Sequence, residues 1–369
     1  MKLKKSYEYI IIGSGFGGAF AAYNLAKAGK EVLVIERGKW AVRDDSCWDE
    51  RRLHIENPLY RGFTPVNVDQ KKGKIEEDWP DDTVGGMSTF YGAAAFRMRE
   101  DDFLGAPIPG SYERDKISEW PFGYKELAPF YDEAERLQGV AGIKGADIFE
   151  PARKKDYPHA PPKNLAFSSK LVKDSAEEIG LHPFHIPLAI NFSGKYGKEK
   201  CILCDKCDHY ICKIEGKNDL SVSVLPKAIE YGATVLADTR AIKINISNNQ
   251  AKSVDIIDHS TGESLTIKTK RVIVACGALS TPHLLLSSGI GGAADSGELI
   301  GRYLMRHTNG VISGLFPFKT NPRSEFQKQI AITDFCYGSF DKKSEPKGNW
   351  GIIQDFQMPG KEVLKEFSP

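Results

Sequence analysis

Apolar residues are spaced along the chain in two regular ways, and the spacing predicts most of its elements. Residues Tyr7–Ile12 read YEYIII, a short run crowded with β-branched side chains, which predicts a buried strand. A glycine-rich turn follows, and then Ala19, Ala22 and Ala26 recur at helical spacing, predicting a helix that Gly29 closes. EVLVIE forms the next strand and ends in Glu36. Much later, RVIVAC predicts another strand and STPHLLLSSG a helix, with Ser280 or Thr281 as its cap, Pro282 in its first turn and Gly289 as its stop. Beyond His307 the apolar runs NGVISGLFPF, QIAITDFCYG and NWGIIQDFQMP predict strands that begin an antiparallel sheet.

Composition narrows the class. With 369 residues, two structural units are expected. Hydrophobic residues make up 41% and charged residues 27%, as in ordinary globular proteins, and the formal net charge of +1 gives no global attraction for nucleic acid or an anionic membrane. Lys2, Lys4 and Lys5 precede an apolar stretch that is too short for a signal sequence, and no run is long enough to span a bilayer. A soluble, cytoplasmic protein is the expectation, with export alongside a partner left open. No internal repeat occurs. Residues 46–74 are expected to form a loop or lid, and the proline-rich stretch Pro151–Asn164 a linker.

The chemistry begins at Gly13-Ser14-Gly15-Phe16-Gly17-Gly18, where G-x-G-x-x-G falls between a strand and a helix. Gly13 permits the tight turn, Gly15 lets backbone approach a pyrophosphate, and Gly18 lets helix and strand pack closely. Phosphates there would meet amides at a helix start, where the dipole is positive. Glu36 lies where an acid would accept hydrogen bonds from the adenosine ribose. The fingerprint alone does not separate NAD from FAD. A second cluster, Gly85-Gly86-Met87-Ser88, could press backbone amides against a flat or anionic ligand, or could simply be a turn before a helix. Of seven cysteines, four stand at Cys201, Cys204, Cys207 and Cys212. That pitch suits an iron–sulfur cluster or a structural zinc, with reduced or disulfide-paired thiols as the third reading.

Taken in order, these segments resemble the glucose–methanol–choline (GMC) oxidoreductases. The resemblance runs through Thr83–Gly92 to Arg97, Trp120-Pro121-Phe122, Leu127, Tyr131, Glu135, Val140–Gly142, Gly216–Asn218, Gly232-Ala233, Arg271–Ile290 and Ile300–His307. It implies an α/β fold: a Rossmann-like FAD-binding domain (1–150 and 201–307) with an inserted, incomplete α+β antiparallel-sheet substrate domain (151–200 and 308–369). It implies that Gly85, Gly86 and Ser88 contact FAD, that backbone at Ala241 grips the adenine, and that Gly277 lies close to the cofactor. Together with Gly13, Ser14, Gly15, Gly17, Gly18 and Glu36, these are the expected cofactor-binding residues.

GGMSTFY is nearest to the pyranose oxidases and related sugar and gluconate dehydrogenases. Pyranose oxidase bonds its flavin covalently through a histidine where this chain has Phe90, so noncovalent FAD is expected. The implied reaction is oxidation of CH–OH groups of sugars, sugar acids or other alcohols by hydride transfer to flavin, as a dehydrogenase. An electron-acceptor protein or second subunit is the implied partner. Some relatives in the sugar branch carry an iron–sulfur cluster.

The family's catalytic histidine has no counterpart here and is expected beyond Pro369. His307 and His283 read as structural or surface residues, and His182, His185 and His209 as loop residues without a supporting partner. A gene fragment, split subunit or truncated record is therefore expected, and a catalytically incomplete flavoprotein or electron-transfer subunit is the alternative function. The pyridine nucleotide–disulfide reductases share the opening unit, but they need a cysteine pair where only Cys47 stands and a second glycine fingerprint that is missing.

Overall fold

A computed structural model of the chain describes residues 3–56, 66–69, 73–75, 82–104, 119–194, 199–291, 299–302, 304, 310–336 and 351–355. The first half of the chain contains β1 (Ser6–Ile12), α1 (Phe16–Lys27), β2 (Val32–Ile35), β3 (Val66–Asp69), β4 (Gly73–Ile75), α2 (Tyr124–Gln138), α3 (Phe167–Glu178) and β5 (Phe184–His185). Next come α4 (Val224–Glu230), β6 (Thr234–Leu236), β7 (Thr239–Ser247), β8 (Gln250–Asp258), β9 (Ser264–Val274) and α5 (Gly277–Ser287). Two short strands, β10 (Ile330–Ile332) and β11 (Ile353–Gln354), complete the described elements.

The chain divides into two compact units, Met1–Thr89 with Asp219–Gly314, and Phe90–Asn218 with Leu315–Pro369. The first is built on a six-stranded sheet in the order β6-β2-β1-β9-β8-β7. β1 is its hinge of symmetry: it runs parallel to β2 on one side (Ile12 opposite Ile35) and to β9 on the other (Ile12 opposite Val274). Because β1 and β2 are covered on both faces, they read as unbroken apolar runs instead of alternating ones. Ile10, Ile11, Leu33 and Val34 are fully buried.

α1 covers this sheet with its alanine stripe, burying Ala19, Ala22 and Ala26, and packs beside α4, where Tyr23 meets Tyr231 edge-on at 5.8 Å. β9 serves two ladders. Its first half pairs antiparallel with β8 and its second half parallel with β1. α5 begins at Gly277, so Ser280 and Thr281 lie inside the helix and cap nothing. The backbone at Gly277 (φ +80°) turns the chain directly off β9, which starts the helix four or five residues earlier than the cap residues suggest.

In the second unit, residues 90–104, 119–150 and 201–218 group with 151–194 through backbone bonds: Ala95 N–H to Pro187 O, Ala189 N–H to Ala93 O, and Asn218 N–H to Ala189 O (each 2.8 Å). Its sheet is small, with order β11-β10-β5 and antiparallel pairing throughout. Of the strands expected over 309–318 and 329–338, the described residues hold only Ile330–Ile332, because a strand needs a hydrogen-bonded neighbour. Residues 310–318 have no such neighbour among the described residues and stand in solvent, Ile312 at 98% exposure. The lid expected over 46–74 falls partly outside the described residues. Its described parts include a turn at Asp45–Trp48 and the β3–β4 hairpin.

The proline-rich stretch 151–164 is anchored at two buried residues and is no free linker. Arg153 and His159 are buried. Arg153 donates to Glu135 and, at 2.8 Å, to Glu150, and its guanidinium lies 3.5 Å from the Tyr157 ring centre. Glu135 on α2 also receives Arg97 bidentately at 2.7 Å from Nε and from a terminal nitrogen, while Asp132 takes Arg97 at 2.6 Å and Tyr124 at 3.1 Å. Burial works against the charge on Arg97, but Glu135, Asp132 and Tyr124 outweigh it and hold its pKa above the ordinary guanidinium value.

Asp355 anchors the small sheet by accepting the amides of Gln329 and Ile330, each at 2.8 Å. Burial pushes its carboxyl up to about 6, against the pull of Ser169 and those two amides. A folded-state pKa above the unfolded value gives stability that is complete below about pH 4 and lost as pH rises through about 6. Asp355→Asn keeps the amide acceptor without the buried charge. It is expected to stabilise the chain by roughly 1–3 kcal/mol at pH 8 and by nothing at pH 4, as read from urea unfolding at the two pH values.

Candidate nucleotide-binding site

The site in the first unit is made where four chain segments touch. The turn after β1 brings Gly13 to Gly18 to the start of α1. A Cβ at Gly18 would lie 1.9 Å from Gly13 O, so only glycine lets helix and strand come this close. Gly15 is the N-cap of α1 and has no side chain with which to cap it. Space in front of it is open: a Cβ there would meet nothing within 4 Å, and the same holds at Gly277. A helix N-terminus without its own capping acceptor, behind open space, fits an anionic group such as a pyrophosphate.

Glu36 follows β2 and is buried. Its Oε2 accepts Ser14 N–H at 2.9 Å and Ser14 Oγ–H at 2.6 Å, and its Oε1 accepts Gly38 N–H at 2.9 Å. Burial raises the Glu36 pKa, the bonds from Gly38 and Ser14 lower it, and Asp82 raises it again. Two lone pairs per oxygen leave one on Oε1 open to a ribose hydroxyl. The second glycine turn comes in from residues 83–89. Gly85 N–H donates to Ser14 Oγ at 2.9 Å, and a Cβ at Gly86 would lie 3.1 Å from Gly15 Cα. Ser88 Oγ donates to Gly85 O at 2.7 Å and accepts Leu220 N–H at 3.0 Å.

Three further residues, Arg43, Asp219 and Ser221, were not singled out by the sequence. Asp219 is buried and takes Arg43 at 2.7 Å, and Arg43 also reaches Ser221 Oγ at 3.0 Å. With Leu220, this short stretch backs the second glycine turn. The GMC resemblance had reached only the adjoining Gly216–Asn218. Ala241 lies in β7, opposite Ile256 and two residues after Thr239, whose amide bonds Glu36 O at 2.9 Å. The structure thus gathers Gly13, Ser14, Gly15, Gly17, Gly18, Glu36, Gly85, Gly86 and Ser88 in one unit. Gly277 is beside the first turn, where Ala275 N–H bonds Ile12 O at 2.8 Å.

The cysteine loop lies in the second unit. Cys201, Cys204, Cys207 and Cys212 are free thiols, and no three His, Cys, Asp or Glu side chains among the described residues gather closely enough to hold a metal ion. As placed, they do not fit the expected iron–sulfur cluster or zinc. Burial pushes the Cys201 thiol up to about 12 and raises Cys204 and Cys207 as well. The loop is organised around Lys217 instead. This lysine is 1% exposed, and its ammonium donates to the carbonyls of Tyr91 (2.9 Å), Cys207 (3.0 Å) and Tyr210 (2.7 Å).

Of the histidines, His182 does have a partner, Asp334, at 2.7 Å. His185 lies on β5, His283 is exposed on α5, and His209 bonds Phe90 O through its amide at 2.8 Å. His307 lies outside the described residues.

A comparison with known families places this geometry. The GMC oxidoreductase signature matches residues 82–309, well over half of the chain, and an NAD(P)-binding Rossmann-like domain matches residues 11–40. The chain belongs to the GMC oxidoreductase family. Among curated relatives, this GMC chain is 30% identical over 320 residues to paromamine 6′-oxidase of Streptomyces fradiae, covering 84% of the chain and 55% of that protein. It is 28% identical to 2-methyl-1,2-propanediol dehydrogenase of Mycolicibacterium austroafricanum, covering 84% and 56%. The chain thus spans about half the length of the curated relatives it matches.

Among solved structures, pyridoxine 4-oxidase from Mesorbium loti superposes with a TM-score of 0.53 at 18% identity, over 78% of this chain and 52% of that one, which speaks for the fold. No helix among the described residues is long and apolar enough to cross a membrane.

Proposed function

We propose that this GMC chain is the flavin-binding part of an FAD-dependent oxidoreductase that acts on CH–OH groups of sugars, sugar acids or other alcohols. The observation that carries the reading is the meeting of the two glycine turns with Glu36 inside one hydrogen-bonded unit, in a chain whose family signature runs on from residue 82. FAD, when bound, supplies the hydride acceptor. The chain's own residues bind and orient it. Amides at Gly15, Gly17 and Gly18 face the pyrophosphate, Glu36 Oε1 accepts a ribose hydroxyl, backbone near Ala241 holds the adenine, and Gly85, Gly86 and Gly277 allow close approach. Phe90 has no nucleophilic nitrogen, so the flavin is held without a covalent bond. The electron acceptor is a separate protein or a second subunit.

Reconstitution tests the reading. Purified chain mixed with FAD and desalted is expected to retain about one flavin per chain and to release it into the supernatant on acid precipitation. Protein without flavin absorbance after reconstitution overturns the proposal, and flavin that stays with the acid pellet overturns its noncovalent part.

A further inference from the structure

Both serines of the site use their hydroxyls on protein atoms. Ser14 is 0% exposed, and its single hydroxyl proton goes to Glu36 Oε2 while Gly85 N–H fills a lone pair. Ser88 is placed the same way one turn further on, between Gly85 O and Leu220 N–H. The bonds form one chain, Glu36–Ser14–Gly85–Ser88–Leu220, across segments 71 and 132 residues apart in sequence. A buried hydroxyl with its proton committed to a carboxylate has no donor left for a nucleotide.

The geometry assigns Ser14 the role of a positioning residue: a clip that ties the ribose acid Glu36 to the second glycine turn, and not a ligand of the nucleotide. The assignment rests on the flavin reading above and deepens it. Its consequence is that the charge on Glu36 and the placing of Gly85–Gly86 against Gly15 depend on one another. An ionised Glu36 holds the Ser14 proton and so orients the oxygen that receives Gly85 N–H. Asp82, itself bonded to Arg37, and the Cys276 thiol at the β9–α5 turn also act on this acid. Asp82 raises the Glu36 pKa and the side-chain bond from Ser14 lowers it, so removing the Ser14 donor leaves Glu36 easier to protonate.

FAD affinity measured against pH is the test, by quenching of flavin fluorescence on titration of the apoprotein between pH 5 and 9. Ser14→Ala is expected to raise the FAD Kd about 10–100-fold at pH 8, the range of one charge-assisted hydrogen bond. Its loss of affinity on acidification is also expected to begin at a higher pH than in the wild type. Ser14→Thr and Ser14→Val, nearly equal in volume, separate hydroxyl from packing: Thr is expected to keep the wild-type acid limb and Val to shift it as Ala does. Wild-type Kd and acid limb in both Ala and Val overturn the clip, and so does a weakening that is equal at every pH, which packing alone would give.

Where the Ser14 variants fail to fold, hydrogen exchange of Glu36→Gln decides. Loss of protection at 83–88 together with 13–18 supports the clip, and loss confined to 13–18 and 36–38 overturns it. Absence of FAD binding by the wild type at every pH is a different result and overturns the flavin reading itself.

Discussion

Gly18→Ala is expected to abolish FAD binding and lower the melting temperature of the chain, while Gly17→Ala is tolerated. The two glycines are adjacent in α1, yet a Cβ at Gly18 would fall 1.9 Å from Gly13 O, 2.9 Å from Gly13 C and 3.4 Å from Ile11 Cγ2. The first two are backbone atoms of the turn that follows β1, and β1 is locked between β2 and β9. Neither partner can swing aside as a long side chain would. Relief requires α1 to lift away from the sheet, carrying its N-terminal amides out of position. Overpacking of this kind typically costs about 1–3 kcal/mol and more where backbone meets backbone. At Gly17 a Cβ would touch only Ala275 Cβ at 3.6 Å, an ordinary contact. FAD titration and thermal melts of the two variants check the contrast. Equal behaviour would show that the turn is not the close approach described.

The second large effect lies in the other unit. Glu135→Ala is expected to destabilise the chain by about 3–5 kcal/mol. Glu135 accepts two bonds from Arg97 and one from Arg153, and all three side chains are nearly inaccessible to water. Truncation leaves two buried guanidinium groups sharing the remaining acids, Asp132 for Arg97 and Glu150 for Arg153. The cost comes from the unpaired charge left behind, since a buried pair as a whole adds little over well-packed apolar residues. Glu135→Gln, which keeps an acceptor but not the charge, is expected to fall between. Urea unfolding of both variants is the measurement. A loss below about 1 kcal/mol for the alanine variant would mean that water reaches the network.

How far the sequence reading reached depends on the range of each interaction. The β1–α1–β2 unit was legible almost to the residue, because apolar runs, alanine spacing and glycine punctuation are local signals. β9 and α5 were legible in outline, but the start of α5 was missed, since the turn at Gly277 overrides the capping preference of Ser280 and Thr281. The bonds that join the two glycine turns were not legible. Ser14 finds Gly85 only after the chain has folded back over 71 residues, and no pattern of composition encodes that meeting.

Pro151–Asn164 misled for the opposite reason. Prolines suggest a tether, but the tertiary partners of Arg153 and His159 draw the stretch inward. The cysteine pitch left three readings open, because spacing along a chain allows thiols to converge but does not require it; the structure has free thiols in a loop that closes on Lys217. The run at 310–318 has strand composition without a strand's neighbour among the described residues.

The pairing of β1 with β9 also sets a timetable. Val274, the partner of Ile12 across the central ladder, is made about 260 residues after it. At roughly 5–20 residues per second, that is a wait on the order of 10–50 s. Through that interval β1 and β2 present an open parallel edge of apolar strand, the kind of surface that other nascent chains or chaperones bind. The Rossmann sheet closes only after the whole insert, residues 90–218, has been synthesised, so the nucleotide site cannot be completed before β9 has been made.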